Sequence, residues 1–220
     1  MKDEVKCSTP ASNLGIDVIE TNLLDMVRKE HKSIEPESMP EAEVTLRLAF
    51  WLLNRADQKS HAEIAIDGAH VRIAPHEQAG RRIEERTVFD IRSFLAANKC
   101  YPKDVKDQWR GTYSFEGHSL RIRSAHGFDV QLTCNGKDIK AECKGGPLKP
   151  VKGRSVAAIF TSAIGQTIVS GSNGPSEELW IGVPDSPAFE DVGRRIIKSR
   201  AFTNTGIKIA LVSKSGVRLR

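Results

Sequence analysis

Apolar and polar positions alternate with a period of two across residues 127–146, Gly-Phe-Asp-Val-Gln-Leu-Thr-Cys-Asn-Gly-Lys-Asp-Ile-Lys-Ala-Glu-Cys-Lys-Gly-Gly. The run breaks at Asn135-Gly136, the dipeptide best suited to a two-residue type I′ turn, so it predicts a β-hairpin. Counting outward from the turn pairs Cys134 with Lys137, Leu132 with Ile139, Val130 with Ala141 and Asp129 with Glu142. Side chains alternate along a strand. Phe128, Val130, Leu132, Ile139, Ala141 and Cys143 are therefore expected on one apolar face, and Asp129, Gln131, Lys140, Glu142 and Lys144 on the other. Downstream the period changes. Residues 152–170 carry Val156, Ile159, Phe160, Ala163 and Thr167 at helical spacing. Residues 177–183, with Leu-Trp-Ile-Gly-Val, read as a buried strand. A second helix is expected over 187–200, striped by Phe189, Val192, Ile196 and Ile197, and a last strand over 207–213.

The first half of the chain yields shorter patterns. Residues 16–32 predict an amphipathic helix with Ile19, Leu23, Met26 and Val27 on one side, and 33–40, with Pro36 and Pro40, a connector. Pro40 then precedes a helix to about residue 54, with Val44, Leu48, Trp51 and Leu52 as its stripe. Residues 61–74 predict a hairpin turning at Asp67-Gly68, 77–86 a charged exposed loop, and 87–98 a third helix. Another hairpin, over 113–123 with its turn near Glu116-Gly117, would supply the first core strand. A boundary within 99–107 divides the chain into an N-terminal, mainly helical α+β region (1–100) and a core (101–220); the alternative is that the first half wraps onto the core.

Composition narrows the setting. A chain of 220 residues with 39% apolar content can bury a real core. No stretch approaches a membrane span, and the start, Met-Lys-Asp-Glu-Val-Lys, has no signal-peptide apolar region, so a cytoplasmic protein without membrane contact is expected. Cysteines at 7, 100, 134 and 143 form no C-x-x-C pair and suit reduced thiols. The net charge is +5, and after Asp191 no acid follows, whereas Arg194, Arg195, Lys198, Arg200, Lys208, Lys214, Arg218 and Arg220 do. A segment of one sign suits phosphate contacts, whose counterion release makes binding salt-dependent; a solvated basic face is the plain alternative.

The hairpin carries the chemistry. Two carboxylates directly opposite one another repel unless something lies between them, and a divalent cation is the usual answer. The plain alternative is a solvent face of cross-strand ion pairs, each worth under ~1 kcal/mol. The six histidines show no metal-ligand spacing, although His126 precedes Asp129 at the rim of the expected site. There is no G-x-S-x-G elbow and no glycine-rich phosphate loop. Gly145-Gly146 is expected to end the strand and let the chain turn beside a substrate.

The order and spacing of Asp129, then Glu142-Cys143-Lys144, then helix, strand, helix, strand resemble the PD-(D/E)XK, or restriction-endonuclease-like, nuclease superfamily. Ala163-Ile-Gly-Gln166 also resembles a Gln-bearing helix motif that follows the (D/E)XK strand in many members. The likeness covers roughly the last half of the chain. It departs from the pattern at Phe128, where many members have Pro. The upstream acid that many members place on an early helix has several matches here, Glu43, Glu85 and Asp90, with no basis for choice. The resemblance implies an α/β fold: a restriction-endonuclease-like core, with a central mixed sheet flanked by helices. It also implies Mg²⁺, with Mn²⁺ able to substitute, held by Asp129, Glu142 and the backbone carbonyl of Cys143. Lys144 would orient or activate the attacking water and offset charge, and Gln166 would support the site. The implied activity is endonucleolytic hydrolysis of DNA, of the restriction or defence type, by a chain that could work as a homodimer. Two alternatives stand beside it: a nucleic-acid-binding module that does not cut, and an interaction subunit of a larger complex.

Overall fold

The hairpin forms in the expected register. In the computed structural model, Val130 pairs with Ala141, Leu132 with Ile139 and Cys134 with Lys137. Asn135 and Gly136 both take positive φ, 51° and 73°, the requirement of a type I′ turn. The residues described are 38–56, 59–67, 89–106, 109–124, 127–149, 156–171 and 174–220. The helix expected over 16–32, the loop over 77–86 and the positions of Glu85 and His126 lie outside them.

The two hairpin strands, β6 (Val130–Cys134) and β7 (Lys137–Cys143), sit in the middle of a mixed sheet. Its other strands are β2 (His61–Ile66), β3 (Tyr101–Val105), β4 (Gly111–Phe115), β5 (His118–Ser124), β9 (Glu177–Pro184), β10 (Lys208–Val212) and β11 (Val217–Leu219). The order is β11-β10-β9-β7-β6-β2-β5-β4-β3. A short pair, β1 (Ser38–Met39) with β8 (Gly146–Pro147), stands apart from the sheet. The helices are α1 (Glu41–Leu53), α2 (Ile91–Ala97), α3 (Val156–Ser170), α4 (Pro187–Ile197) and α5 (Arg200–Thr203).

Two apolar clusters lie on opposite faces of the sheet. The first joins α1 and α2 to the inward residues of β2, β4, β5, β6 and β7, with Leu46, Leu48, Ile64, Leu120, Val130 and Cys143 among its fully or almost fully buried members. Phe50 bridges the two helices, its ring stacked against Phe94 and Phe115. The second cluster joins α3, α4 and α5 to β9 and β10 through Phe160, Ile181, Val183, Phe189, Phe202 and Ile209. The residues of β9 divide between them, Trp180 to the first and Leu179, Ile181 and Val183 to the second, as a strand covered on both faces must.

Several sequence expectations need correction. The chain does not divide at 100/101: residues 36–220 form one compact unit, and strands from both sides of that point share one sheet. The first half therefore builds part of the core. The strand starting at His61 is not one arm of a local hairpin, because its two edges are taken by β5, in parallel, and β6. A parallel neighbour reached by a long crossover leaves no local turn signal. Phe128 does not share the face of Val130; it is buried in the second cluster, near Phe160 and Ile181. The ladder starts only at Val130 and Gly127 turns with φ of 72°, so alternation does not extend back to Phe128. The expected 187–200 helix ends at Ile197, with α5 following as a separate turn.

The basic end of the chain is also different from its sequence reading. β11 folds back antiparallel on β10 and brings Arg218 to Asp185 at 2.6 Å and to Glu190 at 2.9 Å. Arg220 reaches Glu190 at 2.8 Å and Lys208 reaches Glu178 at 2.6 Å, and the Lys208 hydrogen bond holds the Glu178 carboxyl below its ordinary pKa. Arg194 and Arg195 pair along α4 with Glu190 and Asp191. Acids that precede the basic segment in sequence are its neighbours in space, so Asp185, Glu190, Asp191 and Glu178 offset about half of its positive charge within the chain. Cys100, Cys134 and Cys143 are buried free thiols. Burial pushes Cys100 up to about 12, leaving it unreactive. Among the described residues, no helix is long and apolar enough to cross a membrane.

Candidate active site

The site lies at the C-terminal end of β7, where its parallel pairing with β9 brings Glu142 beside Ile181 and Cys143 beside Gly182. Glu142 is 7% exposed, and its carboxylate accepts a hydrogen bond from the Lys144 ammonium at 2.8 Å. Asp129 stands just before β6. Its Oδ2 accepts the backbone N–H of Cys143 at 2.7 Å, and its own carbonyl accepts the N–H of Ala65 at 2.9 Å. These bonds hold the acid against both neighbouring strands, near enough to Glu142 for the Glu142 charge to act on it.

A third acid completes the cluster. Glu41, the first residue of α1, brings its carboxylate to 3.6 Å from Lys144. Glu43, the match considered from sequence, is turned away and held by Arg47 at 2.7 Å. Asp90, another, caps α2 by accepting the N–H of Ser93. Glu41 is not among the sequence candidates, because which side of α1 faces the end of β7 is set by packing and leaves no signal in helical periodicity. Gly145 and Gly146 set that packing. A Cβ on Gly145 would lie 2.6 Å from the backbone nitrogen of Glu41 and 2.8 Å from the carbonyl of Met39. One on Gly146 would strike the Phe189 ring at 2.6 Å. The strand pair β1–β8 ties the two segments together, Met39 against Gly146. Gly145→Ala is expected to push α1 from the site and destabilise the protein by about 1–3 kcal/mol. Urea denaturation checks this, and an unchanged midpoint would show that the two segments need no such close approach.

The electrostatics follow from the crowding. Burial, then the Glu142 charge, drives the Asp129 carboxyl up to about 8, with Glu41 adding to the rise; the Cys143 N–H and Lys144 oppose it. For Lys144, burial works against the charge, but the Glu142 hydrogen bond and the surrounding acids outweigh it and hold the ammonium above its ordinary pKa. Lys144 is thus a cation at neutral pH. The Cys143 thiol, buried and beside Asp129, is raised well above its usual value and stays protonated.

The donor set fits a hard divalent ion. Asp129 and Glu142 offer carboxylate oxygens, and Mg²⁺ takes one or two carboxylates while keeping waters. A strand residue points its N–H and C=O to the same side. The Cys143 N–H points at Asp129, so its carbonyl opens toward the same space. Among the described residues, no group of three or more His, Cys, Asp or Glu side chains is placed to hold a metal ion, and the Lys144 ammonium lies between Glu142 and Glu41. Gln166 sits exposed on α3, and no hydrogen bond joins it to the cluster among the described residues. The structure therefore brings together Asp129, Glu142, Cys143 and Lys144, adds Glu41, and leaves Gln166 outside the bonded set. No family model, curated protein or solved structure matches the chain.

Proposed function

We propose that this protein is a Mg²⁺-dependent nuclease that hydrolyses phosphodiester bonds in DNA. The observation that carries the reading is the meeting of Asp129, Glu142 and Lys144 at one strand end, with Asp129 forced far above its normal pKa. A fold gains nothing from confining neighbouring carboxylates with so little compensating charge, whereas a site for a cation and a phosphate requires it. Asp129, Glu142 and the Cys143 carbonyl would hold the ion. When bound, Mg²⁺ supplies Lewis-acid polarisation of the phosphate and a more acidic water.

The chain's own groups have separable roles. Lys144, protonated in its setting, offsets the charge that develops on the phosphate oxygens; its raised pKa makes it a poor base. Glu41 is the most exposed of the three acids, so it is suited to orient the attacking water or accept its proton. Gln166, exposed on α3, would meet the substrate backbone only once substrate is bound. Double-strand cutting by so small a site favours a homodimer.

The test is incubation of purified protein with supercoiled, linear and single-stranded DNA and with RNA, in Mg²⁺ or Mn²⁺ against EDTA. Metal-dependent cutting supports the reading. Binding without cutting moves the weight to a non-catalytic binding module, and neither activity to an interaction subunit. Lys144→Ala is expected to bind DNA and metal yet lose about 100-fold in turnover, read from single-turnover kinetics with saturating enzyme. Turnover within a few-fold of wild type would remove Lys144 from the mechanism.

A further inference from the structure

Strand register places a third kind of group in the row that runs through Asp129. β2 pairs Ala65 with Arg123 of β5, and on its other edge the Ala65 N–H bonds the Asp129 carbonyl. Arg123 and Ala65 are therefore paired, and Asp129, just before β6, lies beside Ala65 on one side and reaches the end of β7 on the other, where its Oδ2 accepts the Cys143 N–H. Laterally paired residues point to the same face of a sheet. That face is the one opposite the α1 cluster: Ile64 and Ile66 belong to that cluster and Ala65 does not. The next row repeats the arrangement with Arg121, Glu63, Gln131 and Lys140.

The middle of the first row is low, because Ala65 is the only small side chain in it. Arg123 and Asp129 are two strand spacings apart, roughly 10 Å. The Arg123 guanidinium leans across this gap toward the Gly127 turn: a Cβ on Gly127 would lie 3.8 Å from its Nη2 and 3.6 Å from the Gln131 amide nitrogen. Its acid neighbour Glu63 is 3.5 Å away, and Glu63 is also served by Arg121 at 3.3 Å. Below these rows the same face deepens into a groove of about 870 Å³, lined by His61, Gln131 and Lys140 and also by the carboxylates of Glu63, Asp138 and Glu177.

We propose that Arg123, reaching over Ala65 beside the carboxylate pair, binds the phosphate next to the one cleaved, with the strand continuing past Gln131 into the groove. The assignment rests on the nuclease reading and specifies which residues grip its substrate. A guanidinium offers planar, paired donors to phosphate oxygens. At this place it fixes the strand relative to Asp129 and Glu142 and leaves the chemistry to them.

The experiment compares wild type, Arg123→Gln, Arg123→Lys, Glu142→Gln and, as a control on the far edge strand, Lys103→Gln. Cleavage of a fluorescein-labelled DNA oligonucleotide is measured in Mg²⁺, and its binding in EDTA by anisotropy across a salt series. Arg123→Gln should raise KM about tenfold, change kcat little, and reduce the salt slope of binding by about one. Arg123→Lys should keep the slope, and Lys103→Gln should match wild type. If wild type cuts, Glu142→Gln does not, and Arg123→Gln keeps the wild-type KM and slope, the phosphate assignment is overturned and the nuclease reading stands. A lowered melting temperature with equal KM losses in both Arg123 variants would mark a packing role and also overturn it. Wild type that neither binds nor cuts overturns both.

Discussion

Glu142→Gln should abolish Mg²⁺-dependent cleavage, with a loss on the order of a thousandfold or more, while the protein remains folded. Glu142 is buried at the strand end, where its carboxylate acts on Asp129 and takes the Lys144 ammonium. The amide keeps the size of the side chain and can still accept from Lys144, so packing is retained. What disappears is one of the two carboxylates that make the site a place for a cation. The comparison is single-turnover cleavage of the same DNA by the two proteins, with far-ultraviolet circular dichroism to verify folding. A Gln variant that cuts at the wild-type rate would move the catalytic centre elsewhere in the chain.

Asp129→Asn should have an equally large effect on cleavage and an opposite one on stability. The folded protein holds the Asp129 carboxyl at about 8, chiefly through burial and then through Glu142. The unfolded chain releases that proton near the ordinary value of about 4. Between those two pH values the native state binds more protons than the unfolded one, so stability falls as pH rises through that window. Without metal, the wild-type melting temperature should therefore be higher near pH 5 than near pH 8. Asn cannot ionise and can still accept the Cys143 N–H, so the variant should show a flatter profile and melt higher than wild type at pH 8. Adding Mg²⁺ at pH 8 should raise the melting temperature of wild type and leave Asp129→Asn nearly unchanged. Scanning calorimetry in EDTA and in Mg²⁺ checks both statements. Equal pH slopes in the two proteins would assign the destabilisation to other groups.

The pair of experiments separates a site built for chemistry from an ion-paired surface. An ordinary solvent face of carboxylates and lysines would lose little on either substitution, because exposed pairs contribute so little. Glu142 and Asp129 are not such a face. Lys144 lowers the Asp129 pKa, but burial, Glu142 and Glu41 raise it and prevail. Retaining these acids costs stability, as active sites commonly do.

Much of this was legible in the sequence. A period of two and the Asn135-Gly136 turn determined the hairpin and its register from Cys134–Lys137 to Val130–Ala141, because a type I′ turn leaves one way to count the ladder. Helical spacing determined α1 and α3, and short apolar runs determined β9 and β10, since each buries one face or both. The tertiary structure decided what depends on contacts distant along the chain. It brought in Glu41, which no sequence pattern singles out, through the close approach of Gly145 to the start of α1, and left Glu43 paired with Arg47. It seated β2 between β5 and β6, which carried Arg123 into the row of Asp129. It moved Phe128 to the opposite core and paired the basic end with acids upstream of it. Local periodicity specifies which face of an element is apolar; only packing specifies which element that face meets, and so which charges become neighbours.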